Sequence, residues 1–114
     1  MSARSLPPGF ESLAPFVDYW ACATTEARLR ARCEARMEDI QAFYDAMLPL
    51  AEAALDCLDG APLEALPDDL ATLAQLVLSL AQAAVAVEMH GQPRSPGTPW
   101  PHSVRVPGSA APFA

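Results

Sequence analysis

The chain contains no lysine; all seven of its basic residues are arginine, against fourteen acidic residues. A net charge of −7 argues against contact with a phosphate backbone, where affinity comes from neutralisation by Lys and Arg. It argues equally against an anionic membrane surface. The missing lysine itself reads as the coding bias of a GC-rich bacterium rather than as function. Aromatic residues are few, at 7%, and β-branched residues are scarce, while Ala and Leu carry most of the 52% apolar content. That balance disfavours strands and favours helix. There are three cysteines, Cys22, Cys33 and Cys57, and no C-x-x-C. An odd set without a motif reads as reduced thiols of a cytoplasmic protein rather than as a disulfide framework. Met1–Pro8 lacks the apolar core of a signal peptide.

Catalytic signatures are missing as well. There is no Gly-rich phosphate loop, no Ser/His/Asp or Cys/His set and no zinc spacing. Of the two histidines, His90 and His102, neither stands in a Glu-x-x-His pair of the kind that builds a metal site in a helical bundle. Glu38, Asp45, Glu52 and Asp59 recur every seven residues and share one helix face. Without facing histidines this stripe reads as solvated surface. The expectation is a protein that is not an enzyme and holds no cofactor and no metal.

What the sequence does have is apolar periodicity in 114 residues, room for one domain. Leu70, Leu73, Val77, Leu80, Ala84 and Val87 alternate at three and four residues, the spacing of a helix-pairing seam. Leu76, Leu78, Ala81 and Val85 widen it, leaving Asp68, Thr72, Gln75, Ser79 and Gln82 as a narrow polar stripe. The helix is predicted from Pro67 to about Met89 or His90, ending at Gly91. The regular polar residues, and the acidic flanks Asp68, Asp69 and Glu88 with no adjacent Lys or Arg, argue against a membrane span.

Before it the spacing predicts one long helix from Thr24 or Thr25 to Asp59, stopped by Gly60. Its seam reads Leu29, Cys33, Met37, Ile40, Tyr44 with Phe43 beside it, Met47, Ala51, Leu55 and Leu58. Pro49 predicts a kink or break near 45–49. A short helix over about 13–21, capped by Ser12, presents Phe16, Tyr19 and Trp20 on one face. Residues 1–11 read as an extended arm. Residues 91–114 read as an extended tail with six prolines and with Trp100 inside Pro-Trp-Pro. The helical domain is therefore 12–90. The predicted class is all-α, a hairpin of one long kinked helix and one apolar helix plus the short N-terminal helix. A helix this apolar needs more cover than one partner helix supplies, so two copies are expected to pair into a four-helix bundle.

These features predict a small non-catalytic accessory or regulatory protein that forms a homodimer or docks on a larger protein or enzyme. The expected interface is Leu70, Leu73, Val77, Leu80, Ala84, Val87 and Trp100. Arg28, Arg32 and Arg36 are a row of docking charge. The tail either docks on another subunit or packs back on its own hairpin. The alternative reading is a bundle that binds an apolar or aromatic small molecule among Tyr19, Trp20, Met37, Phe43, Tyr44 and Met47.

Overall fold

The structure is a computed structural model that describes residues 5–94. The described residues form five α-helices and no strand: α1 (Ala14–Trp20), α2 (Thr25–Glu34), α3 (Met37–Met47), α4 (Ala51–Leu58) and α5 (Asp68–Ala84). Three single 3₁₀ turns, Glu11–Leu13, Leu48–Leu50 and Leu63–Ala65, link them, and a π-type turn, Val85–His90, prolongs α5. The all-α class is as the composition predicts.

The architecture departs from a simple hairpin because the long helix is broken. Ala35 and Arg36 are extended, with ψ of 155° and 149°, and separate α2 from α3. Neither proline nor glycine marks this break. The local signal is Glu38 and Asp39 in the first turn of α3, where they face the positive end of the helix dipole. Arg36 holds both carboxylates, at 2.6 Å and 3.4 Å, and so closes the corner. At the other end Thr24 Oγ1 accepts from the N–H of Ala27 and caps α2 as expected. Pro49 acts where predicted, but as a 3₁₀ turn over 48–50 between α3 and α4. Gly60 follows α4 with φ of 84°, and Gly91 ends the π-type turn with φ of 68°.

The break changes what covers α5. The helices α1, α2, α3 and α4 all pack against it, so the chain wraps its own apolar helix from several sides. The N-terminal part of the predicted long helix is folded down as α2, against α5. The core runs through Leu13, Val17 and Trp20 of the N-terminal segment, Ile40, Phe43 and Met47 of α3, Ala54 of α4, and Leu73, Leu76, Ala83 and Ala86 of the apolar helix. Burying a large apolar side chain of this kind contributes about 1.5–3 kcal/mol each. The segment before α1 is less of an outlying arm than predicted. Within it Pro7 and Phe10 are buried, and the capping role expected of Ser12 is not seen.

The buried face of α5 is rotated from the predicted one. Thr72 and Ser79, placed by periodicity on the polar stripe, are buried, and Ser79 is fully enclosed. Thr72 Oγ1 donates to the carbonyl of Asp68 at 3.0 Å. Ser79 Oγ donates to the carbonyl of Trp20 at 2.5 Å. That carbonyl lies in the last turn of α1, where backbone acceptors lack a partner within the helix. It accepts the Cys22 N–H at 2.9 Å, and the small Ser79 hydroxyl adds a second bond and lets α1 approach closely. A hydroxyl that finds a buried acceptor counts as interior, and periodicity alone does not show this.

Candidate functional site

Two surface features stand out. The first is a groove of about 530 Å³ between α1 and the α2–α3 corner. Pro15, Phe16, Tyr19 and Trp20 form one wall; Glu34, Ala35, Arg36, Asp39 and Ala42 form the other. The aromatic wall is held in place by ring packing. Trp20 stacks on Phe43 at 4.6 Å, Phe16 meets Phe43 at 5.6 Å, and Tyr19 sits edge-on to Trp20 at 4.9 Å. Trp20 is buried and forms the floor, whereas Tyr19 is 46% exposed on the rim. The Tyr19 hydroxyl donates to the carbonyl of Ala31 at 2.7 Å, tying α1 to α2. Burial, and next the nearby Glu34 carboxylate, push the Tyr19 phenol up from its ordinary value. The phenol therefore stays a neutral donor.

The second feature is the outward face of α5. From Leu70 to Val87 there is no charged residue. At 3.6 residues per turn Leu70, Ala74, Leu78, Ala81 and Val85 fall on the side away from the core. They are half-buried or exposed, and Met89 beyond them is 76% exposed. By length and composition the stretch Asp68–His90, with mean hydropathy 1.9, is long and apolar enough to cross a membrane.

The predicted interface set divides between core and surface. Leu73 is fully buried by its own chain and is not available to a partner. Val77, Leu80 and Val87 pack against the core while staying half-buried, and Leu70 and Ala84 are half-buried. The available apolar face is therefore the one through Ala74 and Ala81, turned by roughly a quarter of the circumference from the centre of the predicted seam. Trp100 lies outside the described residues.

The arginine row does not exist as an exposed row. Arg28 and Arg32 turn inward and are buried, and only Arg36 is exposed. Arg28 Nη1 donates to the carbonyl of Cys22 at 2.8 Å and Nη2 to Thr25 Oγ1 at 3.2 Å; burial pulls its pKa down. Arg32 lies against Cys33 Sγ at 3.7 Å. The reason is the break after α2. Once α2 lies across α5, its inward face carries Arg28, Ala31, Arg32 and Cys33, and arginine stems cover apolar surface well.

The six predicted pocket residues do not line one chamber. Tyr19 and Trp20 belong to the groove, while Phe43 and Met47 are fully buried beneath it. Met37 is half-buried against the core. Tyr44 faces another way and donates its hydroxyl to the Glu88 carboxylate of the π-type turn. The residues missed from sequence, Glu34, Ala35, Asp39 and Ala42, meet α1 only because the chain turns at 35–36. The paired acids Glu38 and Asp39, a helix-start signature, were the signal that marked the turn. The carboxylate stripe Glu38, Asp45, Glu52 and Asp59 is exposed along its length. Among the described residues no group of three or more His, Cys, Asp or Glu side chains converges as metal ligands do. No protein-family model, curated protein or solved structure matches this chain.

Proposed function

We propose that this chain is a small non-catalytic interaction protein of the bacterial cytoplasm that pairs with a second copy of itself through the outer face of α5. One observation carries the reading. Eighteen uncharged residues, Leu70 to Val87, run along a helix whose far side is already packed by α1 to α4. Water-facing helices ordinarily carry charge on the side away from the core. An apolar outer face this long is what an interaction surface looks like, and Ala74 and Ala81 at its centre allow a partner helix to approach closely. The acidic flanks without Lys or Arg, and the packing of four helices on α5, support a water-soluble rather than a membrane setting. An accessory role on a larger protein uses the same face.

The test is native mass by light scattering on the full chain and on Ala74→Glu with Ala81→Glu. The chain is expected at twice its 12.1 kDa and the double variant at 12.1 kDa with unchanged helical content. A wild-type chain that stays at 12.1 kDa at every concentration, or a double variant that keeps the paired mass, overturns the proposal. Recovery from its host in a mixed complex moves the function to accessory subunit of the co-purified protein.

A further inference from the structure

The geometry points to the groove between α1 and the α2–α3 corner as a seat for a proline-rich peptide. Its resident occupant is this chain's own segment around Pro96–Pro101. The inference does not depend on the outer face of α5. Four observations lead to it.

The groove wall is of the right chemistry. Pro15, Phe16 and Tyr19 on one side, over a Trp20 floor, make an open aromatic trough. Polyproline II helices dock in such troughs because rigid rings stack on rings and little entropy is lost on ordering. The segment has the right period: Pro93, Pro96 and Pro99 recur every third residue, followed by Trp100 and Pro101. Polyproline II has three residues per turn, so a segment bound in that form would present these prolines along one edge.

The tether ends in the right place. After Gly91 the chain returns to α2, where Arg94 Nη1 donates to the carbonyl of Cys33 at 2.9 Å. Cys33 immediately precedes Glu34, Ala35 and Arg36, which line the groove. In polyproline II form the six residues from Arg94 to Trp100 would reach roughly 19 Å at about 3.1 Å per residue. That length is enough to lay the indole in the groove. A tether this short also gives the segment a high effective concentration at the site.

Charge agrees. All fourteen carboxylates lie in residues 1–90, whereas residues 91–114 carry Arg94 and Arg105 and no acid. The groove wall facing α1 presents Glu34 and Asp39 with Arg36, which pairs with Asp39, leaving one more acid than base.

Nuclear magnetic resonance on the full chain tests the proposal. The two tryptophan indoles are told apart with Trp100→Phe. The Trp100 indole is expected to show Overhauser contacts to the Ala42 methyl and the Tyr19 ring, unchanged on dilution. Ala42 is exposed, so Ala42→Arg is expected to abolish these contacts while helical content stays the same. A Trp100 indole resonating as in the free peptide overturns the inference, as do contacts to a different surface. Contacts that disappear on dilution assign the segment to a second copy and overturn docking in cis. The wild-type contacts decide the matter even if the groove variant is poorly folded.

Discussion

Replacing Arg36 by proline probes the feature on which the whole arrangement turns. In one helix running unbroken from Thr25 to Asp59, position 36 is interior. Proline there costs about 3 kcal/mol or more, because its N–H is lost and its ring meets the carbonyl of Arg32. In the structure Arg36 has φ of −76°, which the proline ring adopts unstrained. Ala35 before it, at φ −80° and ψ 155°, is already in the extended region that a following proline demands. Among the described residues the Arg36 N–H makes no backbone hydrogen bond that proline would remove. What is lost is the pairing of Arg36 with Glu38 and Asp39, where all three side chains are more than half exposed. Exposed pairs of this kind contribute about 0–1 kcal/mol. Restricting the unfolded chain returns about 0.4–1 kcal/mol. The net change is expected within about 1 kcal/mol of zero. Urea unfolding followed by far-ultraviolet circular dichroism separates the two cases. At about 4–8 °C per kcal/mol for a domain of this size, the melting temperature does so too. A loss of about 3 kcal/mol or more refutes the break, and with it the groove that the corner builds.

Two further outcomes are expected. Ser79→Leu loses about 1 kcal/mol for the bond to Trp20 and about 1–3 kcal/mol for overpacking an enclosed site. The Trp20 carbonyl keeps the Cys22 N–H at 2.9 Å and is not orphaned. A change under about 0.5 kcal/mol in urea unfolding would place Ser79 on the surface after all. Tyr44 concerns pH. Its hydrogen bond to Glu88 is the leading cause that raises its pKa above 10.0. The fold thus favours the neutral phenol, whose contribution is complete below pH 10 and is lost as pH rises through the raised value. Stability on the alkaline side of pH 10 is expected to fall more steeply in the wild type than in Tyr44→Phe. Equal slopes would show that the Tyr44–Glu88 contact is not formed in solution.

Much of the local structure was legible. The aromatic face Phe16, Tyr19 and Trp20 was readable at i, i+3 and i+4, as were the cap at Thr24, the turn at Pro49 and the stops at Gly60 and Gly91. Each depends on a few neighbouring residues and their backbone preferences. The groove was half legible: its aromatic wall was read, but its polar wall was not. The corner at 35–36 carries no breaker residue, and an apolar pattern that runs on across it looks like one helix. The arginines misled for a related reason. Their charge suggests solvent, but their long stems fit an inward face once α2 is folded down on α5.

Composition and periodicity by themselves determined that the chain is helical, where most helices start and stop, and that α5 is apolar on nearly every side. Those properties follow from local propensity and spacing, which any window of the sequence carries. Only the tertiary structure decided that α2 turns away from α3, that Ser79 and Thr72 lie inside, and that Arg28 and Arg32 are buried while Ala81 is not. A helix nearly uniform in hydrophobicity has no preferred face of its own. Its orientation is set by the neighbours that pack on it and by the Ser79 hydroxyl that bonds the end of α1.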